Sequence, residues 1–160
     1  MAPLQARYKS ARRMARRSII RPTAIEQVLK TRYTVDTIRR LRQRYPKRRF
    51  IWLMGADNLA QFPDWHDWRR IARLIPIAVI ARPGYDASVR ARRAMGWLRG
   101  FVHPSAKARD WTEWRTPALV RLRFRPDRSS ATAIRRARPD WYQHVSTRPQ
   151  RDPISRRMIV

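Results

Sequence analysis

The sequence predicts an α/β domain built on a mostly parallel sheet, and three observations lead there. Two short continuous apolar runs, FIWLM at 50–54 and IAVIA at 77–81, have the pattern of parallel strands buried on both faces. An amphipathic segment of helical period precedes each run, giving the order helix, strand, helix, strand. Connection rules turn that order into a right-handed crossover between parallel neighbours. At 160 residues the chain has the length for a single core of this kind.

Taken in order, residues 7–17 (RYKSARRMARR) read as a short basic helix, and 18–23 (SIIRPT) as a brief strand stopped by Pro22. Over 34–45, Thr34 is placed to cap a helix and Asp36 sits in its first turn, where the helix dipole favours a carboxylate. Val35, Ile38, Leu41 and Tyr45 fall on one face, and Pro46 closes the segment. Over 64–75, Asp64 is the expected cap and Trp65, Trp68, Ile71, Ala72 and Ile75 form the apolar face, with the helix ending before Pro76. Pro83 and Gly84 break the second strand. Residues 86–98 read as a helix with its arginines outward, 119–124 (LVRLRF) as a further strand, and 132–137 (TAIRRA) as the start of another helix. Residues 1–146 are assigned to one domain and 147–160 to a basic C-terminal tail, rich in Pro and Arg and expected to be loosely held. No internal repeat is visible.

Composition narrows the function. Without cysteine there is no disulfide scaffold, thiolate nucleophile or cysteine-ligated metal, which suits a cytoplasmic setting. No apolar run approaches the roughly 20 residues of a membrane span, and the N-terminal MAPLQARYKSARRMARR lacks a signal peptide's apolar core. With 38 Lys and Arg against 11 Asp and Glu the formal charge is +27, which attracts polyanions. The arginines are spread along the whole chain, however, a bias that genome composition also produces, so nucleic acid is not the expected partner.

In an open parallel sheet, ligands bind beyond the carboxyl ends of the strands. Three segments emerge there. Gly55-Ala56-Asp57 follows the first strand: Gly55 lets a ligand approach the backbone, and Asp57 either offers a carboxylate to ribose hydroxyls or caps the next helix. Arg82, after the second strand, presents a planar fork suited to phosphate, or is one more solvated arginine. Ser129 to Arg135 (SSATAIR) places hydroxyls, backbone N–H groups and Arg135 at a helix start, which makes either an anion cradle or an ordinary cap. Trp68 reads as core, whereas Trp65, nearest the strand edge, is either core or placed to stack on an aromatic ligand. His66, His103 and His144 lack metal-ligand spacing, and neither a P-loop nor a Ser-His-Asp order occurs.

Together YTVDTI at 33–38, FIWLMGADNLAQFPDW at 50–65, ARPGY at 81–85 and SSATAIR at 129–135 resemble the bacterial nicotinate-nucleotide adenylyltransferases in order and spacing, over about residues 1–146. The resemblance implies the Rossmann-like fold of the nucleotidyltransferase α/β-phosphodiesterase superfamily. It further implies adenylyl transfer from ATP, with Mg²⁺, to nicotinate mononucleotide, giving deamido-NAD and pyrophosphate. By the same resemblance Thr34 and Trp65 would hold the nicotinate ring, with backbone amides near Trp65 aiding its carboxylate, and Arg82 would meet the mononucleotide phosphate. Gly55 and Asp57 would lie near the nucleotide ribose and phosphates, and Ser130, Thr132 and Arg135 would grip the ATP phosphates. The family's opening strand, glycine-rich turn and H-x-G-H element have no counterpart in this sequence, so the domain is expected to be N-terminally incomplete and the catalytic histidines stay unassigned. A nucleotide-binding remnant without catalysis and a basic nucleic-acid-binding module are the alternative readings.

Overall fold

Apolar periodicity and punctuation by Pro and Gly account for most of the elements in the computed structural model, which describes residues 2–81, 92–124, 133, 136–143, 145 and 148–159. Helix α1 spans Leu4–Met14 and runs into a 3-10 turn at Ala15–Arg17, with Arg12 and Arg13 in its last turn, where the dipole favours cations. A single helical turn, α2 (Glu26–Leu29), ends on Lys30 in the left-handed conformation. Helix α3 is Thr34–Arg44, strand β1 Trp52–Gly55 and helix α4 Ala56–Gln61, extended by a 3-10 turn at Phe62–Asp64. Helix α5 (Trp68–Leu74) precedes strand β2 (Ile77–Ile80), and α6 (Arg92–Leu98) precedes the short strand β3 (Val102–His103). A 3-10 segment at Ser105–Glu113 leads towards strand β4 (Leu119–Leu122), and β5 (Gln150–Arg151) and β6 (Met158–Ile159) complete the set.

The chain divides into two compact units, residues 31–128 and residues 1–30 with 129–160. In the first, four parallel strands lie in the order β1-β2-β4-β3, with Trp52 opposite Ile77 and Ile77 opposite Leu119. Every β2 residue but Ile80 is buried, as a central parallel strand requires. Val35 and Ile38 of α3, Leu59 of α4, Phe62, Ile71 and Ala72 of α5, and Leu98 of α6 join β1, β2 and β4 in one apolar core. Fully burying such aliphatic and aromatic side chains is worth about 1.5–3 kcal/mol each, so this cluster is the main source of stability for the unit.

Several expectations change. β1 is not covered on both faces: it is an edge strand of the described sheet, and Leu53 is 59% exposed while Met54 is buried. Thr34 is the first helical residue rather than the cap, a position taken by Tyr33, whose carbonyl accepts from the Asp36 and Thr37 amides. Asp64 does not start a helix because the Phe62-Pro63-Asp64 turn continues α4, and α5 begins only after Asp67, at φ 51°. Residues 18–23 form no strand, and Ile19 is 98% exposed. Of the helices expected over 86–98 and 132–137, residues 82–91, 132, 134 and 135 lie outside the described residues.

In the second unit the C-terminal residues are held rather than loose. β5 and β6 pair antiparallel, with Gln150 opposite Ile159. Ile159 packs with Tyr8, Ala24 and Leu4. Asp152, between the two strands, is 1% exposed and accepts from the Thr23 hydroxyl and from the backbone N–H groups of Ala24, Ile154 and Ser155.

Candidate active site

The strand-to-helix junction at Gly55 follows from its residues. Gly55 closes β1 in an extended conformation, φ −73° and ψ 159°, and Ala56 opens α4 without an intervening loop. Asp57 therefore lies in the first turn of α4 at the C-terminal edge of β1, partly buried, where the helix dipole favours its charge. It does not occupy the cap position, which is Gly55.

Trp65 leaves the 3-10 turn in an extended conformation, with its amide donating to the Phe62 carbonyl at 3.1 Å. Its indole meets Trp52 edge-on at 5.9 Å and Phe62 edge-on at 5.6 Å, so two neighbouring rings fix its orientation. Trp68 meets Phe62 and Trp97 edge-on at 5.4 Å each and belongs to the core side of the cluster, as its sequence position suggests. The Trp52 indole N–H is buried without a hydrogen-bond partner, a costly arrangement beside the Trp65 ring.

Two residues that sequence pattern did not single out connect these parts. Tyr33, at the cap of α3, stacks on His66 with ring centroids 4.2 Å apart and planes 27° apart. The N-terminus of α3, with Thr34, is thereby brought to the turn that carries Trp65. Among the described residues no hydrogen bond engages the His66 or Asp67 amide, so this turn offers backbone donors beside an aromatic ring and a helix N-terminus. Such a set suits a planar aromatic ligand bearing a carboxylate. The separation of 33 positions between Tyr33 and His66 conceals their contact from any local pattern; the only sequence signal is the aromatic density of 62–68.

The remaining carboxylates of this edge are occupied locally. Asp64 pairs with Arg93 at 2.8 Å and Asp67 with Arg70 at 3.7 Å, both in exposed positions where such pairs contribute little. Among the described residues no group of three or more His, Asp or Glu side chains could hold a metal. Of the residues expected in the site, the structure gathers Thr34, Gly55, Asp57 and Trp65 in the unit 31–128. Arg82, Ser130, Thr132 and Arg135 lie outside the described residues. No helix among the described residues is long and apolar enough to cross a membrane.

Comparison with known proteins agrees with this geometry. The family model described as cytidylyltransferase-like matches residues 1–137. A protein of Erythrobacter litoralis named "Probable nicotinate-nucleotide adenylyltransferase" is 57% identical over 159 residues, which cover 99% of this chain and 73% of that protein. Proteins of the same name from Cereibacter sphaeroides and Gluconobacter oxydans are 45% and 42% identical, over 84% and 88% of this chain and 71% and 73% of their own lengths. Parallel sheet, family model and relatives concur: the chain belongs to the cytidylyltransferase-like family, among the nicotinate-nucleotide adenylyltransferases.

Proposed function

We propose that the chain transfers an adenylyl group from ATP to nicotinate mononucleotide in the biosynthesis of NAD. The observation that carries the substrate assignment is the Tyr33–His66 stack, which unites the start of α3 with the Trp65 turn. Trp65 stacks on the nicotinate ring, Thr34 lies against it, and the His66 and Asp67 amides donate to its carboxylate. Gly55 and Asp57 attend the ATP ribose and phosphates at the end of β1. Arg82 meets the mononucleotide phosphate, and Ser130, Thr132 and Arg135 meet the triphosphate.

In the reaction a phosphate oxygen of the mononucleotide attacks the α-phosphorus of ATP. The bond from that phosphorus to the oxygen bridging towards the β-phosphorus breaks, so deamido-NAD forms and pyrophosphate leaves with the electron pair. Mg²⁺ enters as part of the substrate, on the ATP phosphates. Little covalent work falls to the protein, whose task is to align the two nucleotides and stabilise the charge on the leaving group. The setting proposed is the cytoplasm, where both nucleotides are available.

Pyrophosphate release provides the test. With MgATP, pyrophosphate should form on addition of nicotinate mononucleotide and much more slowly with nicotinamide mononucleotide, whose neutral amide leaves carboxylate-directed N–H donors less well matched. Release that is independent of the mononucleotide, or equal for the two, would contradict the reading.

A further inference from the structure

The N-terminal edge of the sheet carries a second feature, opposite the strand ends that form the nucleotide site. A groove of about 970 Å³ lies where Phe50 leads into β1, Pro76 into β2 and Thr116 towards β4. Arg39, Arg42, Lys47, Arg48, Arg49 and Arg115 line it, and among the described residues no carboxylate does. The sequence spreads its arginines evenly, but folding gathers these six cations from the end of α3, the α3–β1 connection and the approach to β4. Only part of this charge is compensated: Arg39 lies 3.9 Å from Asp36 in an exposed pair. Arg42 donates to the Leu74 carbonyl at 3.0 Å and Arg48 lies over the Tyr45 ring at 5.8 Å, contacts that position the guanidinium groups without neutralising them.

Trp111 and Trp114 form the aromatic part of the wall. Trp114 is held flat against His103, with centroids 4.1 Å and planes 11° apart. Uncompensated cations along a groove with indoles beside them are the elements that bind single-stranded nucleic acid, where phosphates follow the charge and bases stack on rings. Duplex, whose bases are already stacked, gains nothing from the indoles. Cations drawn from three chain segments also exceed what the phosphates at one end of a free nucleotide can engage. The net charge of +27 adds long-range attraction for the same ligand.

We propose that this groove is a binding site for single-stranded nucleic acid, separate from the nucleotide site and independent of the adenylyl-transfer reading. The phosphate backbone lies along Arg39, Arg42, Lys47, Arg48, Arg49 and Arg115, and at least one base stacks on Trp111.

Fluorescence anisotropy with a labelled oligouridylate of about a dozen nucleotides tests it. The triple variant Arg48→Ser, Arg49→Ser, Arg115→Ser should lose tenfold or more in affinity, and its logarithmic salt slope should fall by about 2, at about 0.7 per phosphate contact. A control removing the same charge from the end of α1, Arg13→Ser, Arg16→Ser, Arg17→Ser, should lose less than threefold. Trp111→Ala should weaken the single strand roughly fivefold or more, the lower end of the effect of one lost base stack. Circular dichroism of each variant confirms folding. Equal losses in the two triple variants would mean that binding follows net charge alone and would overturn the proposal. So would duplex binding as tight as that of the single strand, or no change in Trp111→Ala.

Discussion

Asp152 is a buried carboxylate satisfied by four donors. Burial raises its proton affinity, but the Ser155 and Ala24 amides, the Thr23 hydroxyl and the Ile154 amide outweigh burial and hold its pKa below the ordinary value. A lowered folded-state pKa gives stability that is fully present above the unfolded value, about 3.9, and is lost as pH falls through the folded one. Asp152→Asn should therefore cost about 2–3 kcal/mol at neutral pH. Urea denaturation repeated below pH 4 should show that difference shrinking. A constant difference would assign the effect to packing instead of charge. None of this was legible in the sequence, because Thr23 and Ala24 stand 129 and 128 residues away from Asp152 and no local pattern links them. Trp65 was singled out in the sequence as the ring nearest the strand edge, and the structure sets it edge-on to Trp52 and Phe62. His66 was not, since a lone histidine with an unseen stacking partner looks like any surface residue.

At the scale of elements, legibility followed from how much signal each segment concentrates. β2 is an apolar run and β4 an alternating segment, with Pro76 and Pro117 ahead of them, and β2 is buried at Ile77, Ala78 and Val79 as a central parallel strand must be. β3 is two residues long and Ser105–Glu113 is a 3-10 segment, so neither supplies the repeat that a periodicity argument reads. The Trp65-His66-Asp67 turn was read as helix because Trp65, Trp68 and Ile71 fit a helical period. The structure instead interrupts the helix at Asp67, φ 51°, which lets Phe62, Trp65 and Trp68 meet edge-on. A left-handed residue is tolerated by Asp and preferred by Gly, and it penalises a β-branched side chain. Asp67→Gly should leave the thermal midpoint unchanged or slightly raised, whereas Asp67→Val should destabilise by about 1–2 kcal/mol. If both variants melted alike, the turn would impose no backbone constraint, and the positioning of Trp65 would need another cause.

Over the whole molecule the parallel sheet of residues 31–128 separates two chemistries. Its carboxyl edge presents Asp57, Trp65 and the α3 N-terminus; its amino edge presents six cations and two indoles. The first was readable from sequence as a candidate because ligand sites in parallel sheets follow topology. The second was not, because a charge of +27 spread along the chain gives no hint of which arginines converge. The carboxyl edge is proposed to recognise nicotinate mononucleotide through Trp65. Calorimetric titration measures this most directly, since seven tryptophans blur a fluorescence signal. Nicotinate mononucleotide should bind the unaltered protein saturably with one-to-one stoichiometry, and Trp65→Ala should weaken it tenfold or more while Trp65→Phe retains most of the affinity. Binding left unchanged by Trp65→Ala, or no saturable binding to the unaltered protein, would contradict the account.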